Sequence, residues 1–526
     1  MCLLIKELFA NLHSSYHMFI FLKSWKQDLP AGLVVFLVAL PLCLGIGLAS
    51  TSVLGQEGLP SVMTGVLAGI IGGTVVALLS NSRLGVSGPA AGLITIVLAA
   101  IQELGSFDSF LLALVLAGLI QFALAFIGFG MLANYVPTAV IKGMLAAIGI
   151  TLILKEIPHL LGYDKDFFGD ESFWQFDGHN TFSELFYALN AFEPGAVGIG
   201  LVAVFLLLGF DTKWIKKQRW STYIPGALVV VLFGIVANQF FIGDMRLTGK
   251  HLVQVPDLHS WKQIKSIFHT PDWTQLGNSK VWVIAVTLAI VGSLETLLSV
   301  EATDKLDPKK HKTNPHRELK AQGVGNLVSG LIGGLPITQV IVRSSANIAA
   351  GGQSKFAAFI HGLLLVVSIL FLGSILNMIP LAALAAVLVL VGYKLAKWSV
   401  FVEMYQKGLA QFIPFVTTIL AVLLTDLLKG IAIGILVAIF YILKRNYQNH
   451  FTKEDSIEGF KLILSEEVTF LNKGGILEAL EAHKLQRITI DASRTKSIDL
   501  DVLEALQEFK FNAEQEGRPE IIFINL

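Results

Sequence analysis

Glu295 and Ser299 stand four residues apart in the apolar run "VIAVTLAIVGSLETLLSVEATDKL". On a helix that spacing puts a carboxylate and a hydroxyl on one face. Such a pair can ligate a cation, and the carboxyl can carry a proton. Arg343 sits one turn into a second apolar run, "GLIGGLPITQVIVRSSANIAAGG", residues 330–352. There it would supply positive potential for an anion. An ionised side chain inside a bilayer costs at least about 2.5–3.5 kcal/mol, so it normally faces a cavity or a partner. The structural alternatives are a Glu295–Arg343 ion pair that locks two helices together, or an arginine that snorkels to the membrane edge.

The elements around these residues are unusual. "LGVSGPAAGLITIVLAA", residues 84–100, holds an apolar run too short to cross a bilayer, with Gly88-Pro89 at its head. The 330–352 stretch repeats the pattern with Gly333, Gly334 and Pro336. A half-helix that begins inside the membrane leaves its first N–H groups without intrahelical partners. That is tolerated only where it lines a polar cavity. Two such N-termini facing each other bring two positive dipole ends and several donors together, which suits an anion. Pro89 and Pro336 would fit the first helical turn, where a missing N–H is harmless. Gly333 and Gly334 would let the chain turn there.

The whole chain reads as a polytopic membrane protein. It has 526 residues, of which 54% are hydrophobic and 15% charged. A soluble chain carries about a quarter charged residues. Fourteen spans are expected: 30–50, 60–79, 89–101, 107–129, 136–157, 195–211, 222–243, 281–300, 318–335, 338–349, 356–376, 380–393, 411–427 and 430–446. Spans 3, 10 and 12 are shorter than the ~20 residues of a full crossing. With the N-terminus inside, the basic loops (Lys23 and Lys26; Arg83; Lys213 to Arg219; Lys305 to Lys320; Lys355; Lys394 and Lys397; Lys444 and Arg445) all fall on the cytoplasmic side, as basic loops prefer. The acidic insert at 158–194 falls outside. Residues 1–29 read as a cytoplasmic, amphipathic lead-in rather than a signal peptide, 30–447 as the membrane domain, and 448–526 as a small cytoplasmic α/β domain. Of the two cysteines, Cys2 and Cys43, the second lies in an apolar run where packing is its expected role.

The halves echo each other. "SGPAAG" and "GGLPIT" occupy matching positions, and "VPTAVIKGMLAAIGITLIL" matches "IPLAALAAVLVLVGYKL" further on. Seven spans per half is odd, so the repeat is inverted. Among other polar residues, His159 and His361 read as packing or interface residues, and Lys142 and Lys155 as flanking span 5. Gln121 and Asn326 are expected to join helices by hydrogen bonds. No nucleotide loop, metal cluster, catalytic triad or nucleic-acid motif is visible, so an enzyme is not expected.

Together, "LPAGLVVFLVALPLCLGIGLAS", "GVSGPAAG", "VPTAVIKGMLAAIGITLILK", "SLETLLSVEATDKL" and "GGLPITQVIVRSSANIAAGG" resemble the SulP family of anion transporters, whose C-terminal domain is of the STAS type. The resemblance implies a seven-plus-seven fold with core and gate domains, an elevator movement, dimers formed through the STAS domain, and a place in the cell (inner) membrane with both termini cytoplasmic. It implies substrates such as sulfate, bicarbonate, chloride, oxalate and dicarboxylates. It places the site at Pro89, Ala90 and Ala91, at Glu295 and Ser299, at Thr338, Gln339, Val340, Ile341 and Arg343, and on span 1 near Leu42 and Cys43. "VALPLCLGIGLAS" looks similar to members with carbonic anhydrase partners, which puts bicarbonate first and carbonic anhydrase among the partners. Sodium-coupled members carry Asp and Thr where this chain has Glu295 and Ser299, so Na+ and H+ both stand as coupling ions. No cofactor is implied. In the C-terminal part Leu500 and Asp501 replace the serines of phosphorylated STAS proteins, which argues against phosphorylation at that loop. Two other readings share features with this one: a nucleobase–proton symporter of the same architecture, and an anion channel or voltage-responsive motor.

Overall fold

The structure is a computed structural model that describes residues 24–51, 62–165, 173, 180–218, 220, 223–255, 261–448, 451–456 and 459–526. Most of the expected N-terminal lead-in, with Cys2, and part of the acidic insert lie outside the described residues. The chain divides into two units, Met1–Lys407 with Pro414–Gly434, and Gly408–Ile413 with Ile435–Leu526.

Helices dominate the first unit. They are α1 (Trp25–Thr51), α2 (Met63–Leu79), α3 (Ala91–Leu104), α4 (Phe107–Leu124), α5 (Thr138–Leu161), α6 (Thr181–Asn190), α7 (Pro194–Asp211) and α8 (Gly226–Phe240). Then come α9 (Ser279–Leu306), α10 (Pro315–Ile332), α11 (Ile341–Ala349), α12 (Phe356–Phe371), α13 (Leu381–Leu395) and α14 (Leu409–Leu424), and α15 (Leu427–Gln448) runs on into the second unit. Among the described residues, seven helices are long and apolar enough to cross a membrane and five further apolar helices run 10–17 residues. The weakly apolar α10 and the nine-residue, amphipathic α11 fall outside both sets. Several expected boundaries move, among them the ends of spans 4, 8 and 11. Span 1 starts at Trp25 because buried Asp28 is tied down by Ser24 Oγ, Ser354 Oγ and the Gln353 and Ser354 amides. Expected span 12, read as short, forms α13, and a second helix, Trp398–Gln406, follows it after a break at Ala396 and Lys397.

Two groups of helices are visible in the packing. In one, α4 packs on α9 and α10, and α1 on α2 and α12; in the other, α5 packs on α13, and α7 on α8 and α13. Paired glycines mark the closest crossings. A β-carbon on Gly118 of α4 would lie 2.7 Å from the Gly323 carbonyl oxygen of α10, and one on Gly323 would lie 2.8 Å from that of Gly118. Gly73 of α2 and Gly362 of α12 meet in the same way, at 2.5 and 2.6 Å. Under an inverted repeat the α4–α10 and α12–α2 contacts are equivalents. Gly149 of α5 and Gly392 of α13 meet reciprocally at 2.5 and 2.6 Å; those helices are themselves repeat mates. The repeat read from the sequence is therefore present in the packing.

The two breaks form a miniature sheet. Strand β1 (Ser87–Pro89) pairs antiparallel with β2 (Ile337–Gln339), with Ser87 opposite Gln339, Gly88 opposite Thr338 and Pro89 opposite Ile337. Each strand leads straight into a half-helix, α3 or α11.

In the second unit, strands β3 (Phe451–Ser456), β4 (Gly459–Leu464), β6 (Ile488–Asp491) and β8 (Ile521–Ile524) form one sheet in that order, and β5 (Glu467–Val468) pairs with β7 (Ser497–Ile498). Only β3–β4 is antiparallel within the larger sheet. Helices α16 (Lys473–Ala482) and α17 (Leu500–Gln515) bury Ile476, Leu480, Val502 and Leu506 with Phe460, Leu462 and Ile490 of the strands. Asp499 caps α17 by accepting the Asp501 amide. This α/β unit is compatible with a STAS domain.

Candidate functional site

The β1–β2 pair sets the two half-helices mouth to mouth. Residues Ala90 and Val340 have extended backbone (φ −100°, ψ 124° and φ −113°, ψ 124°) and neither N-terminus has a side-chain cap. One detail corrects the sequence reading. Pro89 lies within β1 and Pro336 just before β2, not in the first helical turn. The prolines withhold donors from the ladder instead, which keeps each strand to three residues.

Polar side chains fix this assembly from behind. Asn326 of α10 donates from Nδ2 to the Ile337 carbonyl (3.0 Å) and to Gln121 Oε1 on α4 (2.8 Å), and its Oδ1 accepts the Ile337 amide (2.6 Å). The expected Gln121–Asn326 link thus exists and also anchors β2. Gln339 reaches α9, donating from Nε2 to Thr303 Oγ1 (3.0 Å) and the Ser299 carbonyl (3.4 Å), while its amide donates to Thr296 Oγ1 (3.4 Å). Gln322 donates to Ser87 Oγ (2.7 Å) and to Glu318 Oε1 (3.1 Å).

Arg343 is wholly buried, and among the described residues its three guanidinium nitrogens meet no oxygen acceptor within hydrogen-bond distance; the Cys43 thiol of α1 is a side chain it interacts with. It does not snorkel, and it makes no hydrogen bond to Glu295. A β-carbon on Gly88 would overlap its Nη1. The Oε1 of buried Glu295 lies where a β-carbon on Gly92, in the first turn of α3, would come within 3.2 Å. Both charged groups thus stand against the segment that opens the first half-helix: a cation against β1 and a carboxylate against the first turn of α3. The hydroxyl of Thr338 and Oε1 of Gln339 are buried without a hydrogen-bond partner among the described residues. A cavity of about 60 Å³ opens beside Ala91, Gly92 and Thr95 and is walled on the far side by Ile148, Thr151 and Asp426.

The remaining expected residues fall as follows. Ile341 and Val340 are at the mouth of α11. Leu42 and Cys43 are buried on α1, where a β-carbon on Gly69 would lie 2.6 Å from Cys43 Sγ. Ser299 presents its carbonyl to the β2 side, where it accepts from Gln339 Nε2. His361 is buried, with Nδ1 3.3 Å from the Ala358 carbonyl. Lys142 pairs with Glu403 (2.6 Å), and Lys155 with Glu184 (3.8 Å).

His159 does more than pack. It and His251 both donate from Nδ1 to Asp164, at 2.6 and 2.7 Å. Burial pushes the Asp164 carboxyl up, but the two imidazole hydrogen bonds outweigh it and leave it below the ordinary carboxylate range. This clasp borders a cavity of about 720 Å³ that also touches Pro41 and Leu44 of α1. Residues Gln27, Pro30 and Val34, nearer the start of α1, line another cavity of about 330 Å³ with Leu207 and Lys394. Sequence reading marked Gly88 only as part of a helix break, and missed Gly92, Thr296, Thr303 and Gln322. The small residues of "GVSGPAAGL" were the available signal for the two glycines.

A helical membrane unit folded as two inverted halves, with two half-helices meeting tip to tip, is a membrane transporter built on an inverted repeat. The chain belongs to the sulfate permease family, whose family model matches residues 25–418, and is an anion transporter of that family. It is 27% identical over 425 residues to the putative sulfate transporter YvdB of Bacillus subtilis, covering 81% of this chain and 74% of that protein. It is also 27% identical over 425 residues to the bicarbonate transporter BicA of Picosynechococcus sp., covering 78% of this chain and 69% of BicA. Among solved structures it is similar to the transmembrane domain of a cyanobacterial BicA (TM-score 0.51, 23% identity, 78% of this chain and 97% of that one). It is likewise similar to SLC26A9 (TM-score 0.64, 16% identity, 95% of this chain and 84% of that one).

Proposed function

We propose that this chain is a secondary active transporter of small inorganic anions, with bicarbonate as the first substrate to test. The anion lies between the mouths of α3 and α11, near Pro89, Ala90 and Ala91 and near Thr338 to Ile341, in the field of Arg343. The observation that carries this reading is the meeting of two uncapped helix N-termini beside a wholly buried guanidinium that has no carboxylate partner among the described residues. An unpaired buried cation is costly, and an anion would relieve it.

Coupling runs through Glu295, with H+ or Na+ as the coupled ion. Its carboxylate stands against the first turn of α3, where a second negative charge would be repelled. Protonation would remove that repulsion, so proton symport follows from electrostatics alone. Sodium would act in the same sense by neutralising the carboxylate. The cavities on α1 lie between the two helix groups, one near each end of the helix, which suits an elevator in which the half-helix group slides against the other. Both termini are placed in the cytoplasm by the basic loops, and the C-terminal unit is proposed to dimerise.

The test is uptake into proteoliposomes from a panel of bicarbonate, sulfate, chloride, oxalate and dicarboxylates, with and without sodium and a pH gradient. Bicarbonate uptake driven by one of these gradients supports the reading. Gradient-driven uptake of sulfate or a dicarboxylate alone would favour the sulfate or dicarboxylate/proton symporter, the reading supported by the sulfate transporters among the relatives. Currents far above carrier turnover would favour a channel or motor.

A further inference from the structure

Away from the half-helix mouths, a cavity of about 220 Å³ is lined by Ser80, Ser82, Arg83, Lys312, Arg317 and Lys355, with His311 and Thr313 at its edge. The lining comes from the end of α2, the α9–α10 loop and the start of α12. All three belong to the helix group that holds the half-helices, so the cavity is not part of a path between the two groups. Its volume exceeds by more than ten-fold the roughly 10–15 Å³ that one water needs.

Three of the charges here have no carboxylate partner among the described residues. Among the described residues Arg83, Lys312 and Arg317 form no salt bridge within 4.0 Å of a carboxylate. The carboxylates nearby are turned to other partners. Asp28 takes Ser354, Asp304 takes Thr313, Asp307 takes His311 and Glu318 takes Ser80. They shape the wall and leave the basic groups facing the cavity. Arg317 Nε donates to the Leu79 carbonyl at 3.2 Å, and Lys355 Nζ to the Leu78 and Ser80 carbonyls at 2.9 and 3.2 Å. Those bonds also hold the two cations beside each other. Burial, and the Arg317 charge next to it, bring the Lys355 ammonium down to about 8.

We propose that this cavity is a second anion site, separate from the half-helix mouths, for a phosphate monoester or diphosphate group. Guanidinium forks and ammonium groups interleaved with hydroxyls are the chemistry that recognises several phosphate oxygens at once. A singly charged small anion would use only part of it. Occupancy can be felt at the half-helices through one buried chain of hydrogen bonds. The Ser82 amide donates to Ser80 Oγ (2.9 Å), Ser80 Oγ to Glu318 (2.5 Å), and Gln322 bridges Glu318 to Ser87 at the head of β1.

The same group could arrive on a soluble compound or on a lipid headgroup, and the experiment separates the two. The full chain is reconstituted in nanodiscs of neutral lipid and titrated with inorganic pyrophosphate by calorimetry. In a second arm its melting temperature is compared in nanodiscs containing phosphatidic acid or, at equal charge, phosphatidylglycerol. Saturable pyrophosphate binding, not displaced by excess bicarbonate, supports a soluble ligand. A rise in melting temperature with phosphatidic acid but not phosphatidylglycerol supports a headgroup. In either arm, replacing the exposed pair Arg83→Gln and Lys312→Gln should weaken the effect about ten-fold or more. Absence of both effects, equal stabilisation by the two lipids without pyrophosphate binding, or an effect unchanged in the double variant overturns the proposal.

Discussion

The backbone of Gly88 lies so close to the guanidinium of Arg343 that a β-carbon at position 88 would overlap Nη1. The residue before Pro89 is thus fixed by an arginine 255 positions later in the chain. Gly88→Ala should move the guanidinium rather than the buried strand pair, because the side-chain tip is the softer partner. Anion affinity is expected to fall about ten-fold, as for the loss of one charge-assisted hydrogen bond. Uptake kinetics alongside a melting curve check this: apparent affinity changes, and melting shifts by only a few degrees.

Glu295→Gln should abolish gradient-coupled uptake while leaving the protein folded, since an amide fills the same space but neither ionises nor carries the coupled charge. The check compares uptake with and without the driving gradient. Normal gradient-driven uptake in this variant would remove Glu295 from coupling.

Asn326 holds both edges of Ile337 and links to Gln121. Asn326→Ala strands the Ile337 amide and carbonyl and should cost about 1–3 kcal/mol per buried unsatisfied group. Gln121→Ala removes one bond only and should cost less. Denaturation of the detergent-solubilised protein ranks the two, and a larger loss for Gln121→Ala would contradict the assignment of Asn326 as the anchor of β2.

Asp164 supplies a pH signature. Its folded carboxyl titrates below the ordinary carboxylate range because His159 and His251 donate to it despite burial. A depressed folded value means that the clasp stabilises the fold above the unfolded carboxyl's range and loses that contribution as pH falls through the folded value. Melting temperature should therefore drop on acidification below pH ~4, and Asp164→Asn should make the acid limb shallower while lowering stability at neutral pH.

Much of this architecture was legible in the sequence because a bilayer imposes strong rules. Apolar runs marked the helices, basic loops gave a consistent order, and the Gly-Pro breaks at 88–89 and 333–336 marked both half-helices. The repeat was visible only as faint echoes, yet the Gly118–Gly323, Gly73–Gly362 and Gly149–Gly392 crossings express it directly. What the sequence hid were pairings over long separations. Nothing local in "VSGP" says that Gly88 faces Arg343, or that Gln339 will reach past Ser299 to Thr303. The prolines were read as first-turn helix residues because local propensity cannot foresee a three-residue strand pair. His159 looked like a lone packing residue because its partner chain, Asp164 to His251, closes only in three dimensions.

The central claim is that Arg343 provides the field in which a small anion is held between α3 and α11. The most direct measurement is saturable uptake of labelled bicarbonate by reconstituted wild type, Arg343→Lys and Arg343→Gln, with melting curves to confirm folding. Wild type should saturate. Arg343→Lys should retain part of the affinity, since it keeps the charge and loses the fork, and Arg343→Gln should lose about ten-fold or more. Affinity unchanged in a folded Arg343→Gln protein would contradict the account.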